Sequence, residues 1–284
     1  MISILAPAKI NWTLRITGKR PDNFHNIVSI MQSISLYDKI EILPSDDIII
    51  KSNLMLPVKE NLVYKAAELL KSYTSTLRGA AIELYKEIPT QAGLGGGSSD
   101  AASALIGLNQ LWECGLSIKE LSTLGAKLGS DIPFFIEGNY ASIAGRGEIV
   151  TPLNNPQVYD IILMLPSFAV PTSWAYQKIA RFSEGLSIDY CNQLNSALIN
   201  RDISKIQILM KNDFEDALKD EFPEIDEIKT NLISLGAISA MLSGSGSAIF
   251  GVFADGKHII SALQSLHEIY PLYWMRHVLT IGQM

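Results

Sequence analysis

The chain has 284 residues, enough for two ordinary domains with a substantial core, and 48% of them are hydrophobic against 18% charged. A formal net charge of −6 argues against nucleic acid as a main partner, because backbone binding needs a basic surface. No apolar run approaches the ~18 residues of a membrane span, and no basic segment leads into a long apolar one at the N-terminus, so a cytoplasmic protein without a signal peptide or membrane partner is expected.

Residues 2–16 alternate apolar and polar side chains as a strand does, with an interruption at Pro7. Lys9 within it admits two readings: a lysine facing solvent at a sheet edge, or one aimed at a cluster of phosphates. Residues 17–26 are rich in turn formers and read as a loop that presents Phe24 and His25. Strands are expected at 28–43 and 48–51. Residues 60–70 have helical spacing, with Leu62, Ala66, Leu69 and Leu70 on one face and Asn61 placed as the cap. Residues 80–88 read as a strand that delivers the chain to Pro89.

Residues 89–100 run Pro-Thr-Gln-Ala-Gly-Leu-Gly-Gly-Gly-Ser-Ser-Asp, with four glycines in five positions. Glycines weaken a helix interior but allow a ligand to approach bare backbone. Small, helix-forming residues follow from Asp100 to position 111, and Asp100 is expected in the first turn, where a carboxylate suits the helix dipole. A glycine loop feeding a helix N-terminus offers N–H donors to an anion, and phosphate is the expected guest. The loop is not a Walker A motif, since no Gly-Lys-Ser/Thr follows, and Ser98 stands where a dinucleotide fingerprint needs its last glycine. A plain flexible turn is the alternative. Pro89, the paired serines and the unbroken helix weigh against it.

Ser117 and Glu120 form a capping box for a second helix, expected over 117–128. Asp131 follows Gly129, where turn residues are common, and Pro133 is expected to hold Ile132 extended. Arg146 lies in a tight basic turn at 145–148, readable as a hairpin tip. A boundary is expected at 154–156, separating domains 1–155 and 156–284. Beyond it come a strand at 159–166, the aromatic pair Trp174 and Tyr176, and helices at 195–199, 203–210, 213–218 and 223–235. Strands at 238–242 and 248–253 flank the Ser-Gly-Ser-Gly-Ser loop at 243–247, before a helix at 257–270 and a strand at 273–281. The class is α+β. Cys114 and Cys191 stand in no metal or redox spacing and read as reduced thiols.

Three of these segments together resemble the motifs of the GHMP kinases: Pro-Ala-Lys-Ile-Asn at 7–11, the glycine loop from Pro89, and the serine-glycine loop at 243–247. The triple glycine is most similar to the branch that acts on a cytidine-diphosphate-linked methylerythritol in non-mevalonate isoprenoid synthesis. The resemblance implies a two-domain fold, with a ribosomal-S5-like N-terminal half, a ferredoxin-like C-terminal half and the site between them. It implies ATP-dependent phosphorylation of the acceptor's 2-hydroxyl, with Mg2+ and no metal ligand that can be named. Lys9 and Asp131, the latter within Gly-Ser-Asp-Ile-Pro-Phe, are the implied catalytic pair. Pro89, Gly93, Leu94, Gly95, Gly96, Gly97, Ser98 and Ser99 are implied for the phosphates and Asn61 for the adenine neighbourhood. Asn11, Phe24, His25, Arg146 and Tyr176 are implied for the acceptor, with Trp174 as the alternative lid on the cytosine. The sequence departs from the family at Asn23, usually glycine, and at Phe24, commonly tyrosine. Asparagine tolerates a left-handed backbone, and phenylalanine keeps the stacking face.

Phosphoryl transfer asks little covalent chemistry of a protein; it asks that the donor be held, its charge neutralised and the hydroxyl aligned. A small-molecule partner and a monomer or weak homodimer are expected. A kinase of homoserine or mevalonate, or a non-catalytic binding regulator of the same fold, are the rival readings. The Phe24-His25 segment opposes the first, and the Lys9–Asp131 pair the second.

Overall fold

The computed structural model describes residues 1–54, 57–154, 158–183 and 185–282. Two long strands open it, β1 (Ile2–Lys19) and β2 (His25–Ser45), paired antiparallel along nearly their whole length. The expected loop at 17–26 therefore shrinks to a turn at 20–24, with Asn23 at φ +66°, the left-handed conformation asparagine accepts. The other edge of β2 is shared by β4 (Gly79–Tyr85) and β5 (Tyr140–Ala144); β3 (Ile48–Ser52) runs parallel to β4, and β6 (Ile149–Pro152) completes a six-stranded sheet. β4 stops at Tyr85, three residues short of the expected end.

Helices α1 (Leu62–Thr74), α2 (Gly96–Leu111), α3 (Ile118–Gly125) and α4 (Ile132–Glu137) belong to this half. The buried face of α1 is Val63, Ala66, Ala67 and Leu70, one position round from the expected stripe, with Leu62 and Leu69 at its margin. Asn61 caps it by accepting from the Val63 N–H at 2.9 Å, and Ser117 and Glu120 form the reciprocal capping box of α3. Two expectations fail locally. Gly96 and Gly97 are the first helical residues of α2, so Asp100 lies beyond its first turn. Ile132 is helical rather than extended, because Pro133 occupies the first turn of α4, where a missing N–H leaves no bond unmade.

The second half contains β7 (Asp160–Leu165), α5 (Thr172–Gln177), α6 (Ile188–Ile199), α7 (Ile203–Leu209), α8 (Asp213–Leu218), α9 (Glu224–Ser234), β8 (Ser239–Leu242), β9 (Ile249–Phe253), α10 (Ile259–Ile269) and β10 (Trp274–Leu279). Its sheet order β10-β7-β9-β8, all antiparallel, is that of a ferredoxin-like β-α-β-β-α-β unit, with helices inserted between β7 and β8. The sheets divide the chain between β6 and β7; the expected boundary at 155/156 lies outside the described residues. One core joins the halves, with Ile10, Trp12 and Tyr140 packed with Ile161, Leu194 and Phe250. Cys114 and Cys191 are both free, and no described helix is long and apolar enough to cross a membrane.

Candidate active site

β1 carries its apolar side chains on even positions, from Ala6 to Ile16, into the cores, and so presents Lys9, Asn11, Thr13 and Arg15 together on its other face. That face is covered rather than solvated. Lys9 is 3% exposed, and its Nζ donates to Asn11 Oδ1 at 2.7 Å and stands 3.9 Å from Asp131 Oδ2. Burial pushes the Lys9 ammonium below its usual pKa, while Asp131 pulls it back up. Asp131 itself is 30% exposed, at the start of α4. Asn11 Oδ1 also accepts from the Gly244 N–H at 3.1 Å, and its amide nitrogen donates to Ser29 Oγ at 2.8 Å.

The glycine loop lies against this cluster. Lys9 N donates to Leu94 O, Ala248 N to Ala92 O, and Ser243 Oγ to Gly93 O, so the serine-glycine loop at 243–247 braces the glycine loop from behind. A Cβ at Gly93, where φ is +75°, would lie 2.0 Å from Ser243 O; one at Gly95 would meet Lys9 and Phe135 at 3.0 Å. Beginning α2 at Gly96 leaves the N–H groups of Gly96, Gly97 and Ser98 without intrahelical acceptors, pointing along the axis toward the loop's mouth.

A cavity of about 1130 Å³ opens there, large enough for a nucleotide and a second substrate. Its wall includes Lys9, Asp131, Pro89, Gly93, Leu94, Gly95, Gly96, Gly97 and Ser98, with Asn61 at one end. Asn61 Oδ1 is committed to capping α1, so what it can offer a ligand is its amide nitrogen. At the other end the wall is Phe24, His25, Arg146 and Tyr176. The His25 and Tyr176 rings stack with centroids 4.9 Å apart and planes at 16°, and the Arg146 guanidinium lies 4.9 Å over the Phe24 ring. Burial and the neighbouring Lys19 charge hold His25 below its ordinary pKa, and burial raises the Tyr176 phenol to about 12, so both are neutral near pH 7.

Two expected contacts are displaced. Asn11 is fully buried behind Lys9 and Ser99 lies under the helix start, so neither reaches the cavity wall. Trp174 packs edge-on against Phe222, outside the wall that holds Tyr176. Sequence reading missed Lys86, Asp38 and the partner role of Asp100. Lys86 Nζ pairs with Asp38 and, at 2.6 Å, with Asp100 beneath the glycine loop. Burial foremost raises the Asp100 carboxyl to about 7, against the Lys86 charge, and its Oδ1 has no partner. The only signal for Lys86 was its place three residues before Pro89; Asp38 carried none. Among the described residues no group of three or more His, Cys, Asp or Glu side chains could hold a metal ion. Hard oxygen donors among the lining residues, Ser98 and Asp131 beside the cradle and Lys9, nevertheless fit a Mg2+ ion coordinated mainly by phosphate and water.

The family model for the GHMP kinases N terminal domain matches residues 61–139, and that for the GHMP kinases C terminal matches residues 194–272. The chain is 41% identical to a 4-diphosphocytidyl-2-C-methyl-D-erythritol kinase of Thermodesulfovibrio yellowstonii, over 99% of this chain and 98% of that protein. A crystal structure of a 4-(cytidine 5′-diphospho)-2C-methyl-D-erythritol kinase superposes with a TM-score of 0.84 at 31% identity, covering 99% of this chain and all of that one. A homoserine kinase from Cytophaga hutchinsonii shares the fold, with a TM-score of 0.76 at 18% identity over 99% of this chain and 95% of that one.

Proposed function

The chain belongs to the GHMP kinases, and from that premise we propose that it transfers the γ-phosphoryl group of ATP to the 2-hydroxyl of 4-diphosphocytidyl-2-C-methyl-D-erythritol, a step of non-mevalonate isoprenoid precursor synthesis. The observation that carries this reading is the meeting, in one cavity, of a glycine cradle, a buried lysine beside an aspartate, and an aromatic wall.

The N–H groups at the start of α2 and the helix dipole hold the β- and γ-phosphates. Lys9, kept in place by Asn11 and facing Asp131, gives positive charge where the transferring group gains negative charge. Asp131 orients the acceptor hydroxyl and takes its proton. Ser98 and Asp131 are the residues that would touch a Mg2+ ion, which when bound neutralises phosphate charge. Phe24, His25 and Tyr176 receive the cytosine, where a neutral imidazole can both donate and accept, and Arg146 lies close enough to meet the diphosphate.

An ADP-release assay tests the reading. Turnover is expected with 4-diphosphocytidyl-2-C-methyl-D-erythritol and none above background with mevalonate or homoserine. Equal turnover with either of the latter would overturn it.

A further inference from the structure

Of the nine phenylalanines, two are exposed, Phe24 at 47% and Phe182 at 37%, and both line the same cavity. The other seven are buried or partly buried, as aromatic rings of a folded chain ordinarily are. Phe182 stands beside His25, ring centroids 6.1 Å apart at a tilt of 48°. Phe182, His25 and Tyr176 thus form a row of three aromatic rings.

The backbone next to Phe182 is fastened with unusual thoroughness for a connecting segment. The Ser183 N–H donates to Ile16 O at 2.8 Å. Ser183 Oγ accepts from Arg15 Nη2 at 2.6 Å and donates to Asp213 Oδ2 at 2.8 Å. Asp213 in turn pairs with Arg15 Nε at 2.8 Å and accepts from the Ile16 N–H at 2.7 Å. The latch draws on β1, on α8 and on the segment after α5, and the Arg15–Asp213 pair is largely shielded from water. A surface loop that merely joined two helices would not need its position set from three parts of the chain. An apolar ring exposed in a cavity beside His25, on a backbone pinned at the next residue, is arranged for a planar ligand.

We propose that Phe182, positioned by the Arg15–Ser183–Asp213 latch, is a specificity-determining wall of the subpocket that receives the pyrimidine base. The inference rests on the reading that this cavity takes a cytidine nucleotide. Its chemistry is stacking and exclusion of water: the ring covers the base without bonding to it, and the latch spares the loop from being ordered at the moment of binding.

The test is calorimetric titration with cytidine 5′-diphosphate as the probe, alongside steady-state kinetics of the intact enzyme. Phe182→Ala is expected to weaken cytidine diphosphate binding about tenfold and to raise the KM of the cytidyl acceptor in step, while the KM for ATP keeps its wild-type value. Phe182→Tyr, which retains the ring, is expected to restore binding. Ser183→Ala should weaken binding too, yet add nothing in a Phe182→Ala background, because it acts through the ring; a purely structural role would make the two losses additive. Unchanged affinity in Phe182→Ala, or additive losses in the double variant, overturns the inference while leaving the kinase reading intact. Failure of the wild-type protein both to bind cytidine diphosphate and to phosphorylate the acceptor overturns both.

Discussion

Lys9 has to be charged in a place where burial discourages charge, and Asn11 and Asp131 offset that cost. The alternation of β1 was legible in the sequence, and so was the polar character of its odd face. What covers that face was not. Gly244 meets Asn11, Lys211 O accepts from Thr13 Oγ1, and Asp213 pairs with Arg15, all about 200 residues away in the chain. A period-two pattern says which side chains share a face and leaves open whether the face meets solvent or a second domain. His25 carries a prediction at this scale. Its pKa lies below the ordinary histidine value, so the ring is neutral near pH 7 and gains its proton only as pH falls past that lowered value. The KM for the cytidyl acceptor is therefore expected to rise as pH falls through that lowered value, while the KM for ATP stays level, and His25→Gln should flatten the profile. A profile of the same slope in His25→Gln would assign the titration to another group.

The element that matters most is the glycine loop with α2. Its glycines are not equivalent. Gly93 has no room for a Cβ and a left-handed φ, whereas a Cβ at Gly97 would meet nothing nearer than Leu62 Cδ1 at 3.6 Å. Gly93→Ala is expected to lower the melting temperature by several degrees or prevent folding, since strain and a backbone clash together cost several kcal/mol. Gly97→Ala should keep the wild-type melting temperature. Equal melting of the two variants would contradict the packing described. The caps at Asn61 and Ser117 were readable because each is a local device, complete within a few residues. The start of α2 was misplaced because glycine's weak propensity is overridden here by tertiary contact: Gly96 packs against Ile88 and lies close to Lys86. The Asp38–Lys86–Asp100 cluster escaped for the opposite reason, its members coming from β2, the segment after β4 and α2 with no shared motif.

At the scale of the molecule, the site exists only because two halves share one core. The glycine loop and Asp131 come from the first; the brace at 243–247, Tyr176 and the Asp213 latch come from the second. The resemblance to the GHMP kinases implied the ferredoxin-like sheet that the second half forms, whereas the depth at which Lys9 is enclosed depends on how the two halves pack. The account stands on Lys9 and Asp131 meeting at the mouth of the cradle. It is tested most directly by Asp131→Asn, measured for the affinity of Mg2+-free ATP by calorimetry and for kcat with the cytidyl acceptor. Removing the carboxylate while keeping its shape is expected to leave the Kd for ATP within about twofold of wild type and to lower kcat by about 10²–10⁴-fold. A variant that turns over at the wild-type rate would contradict it.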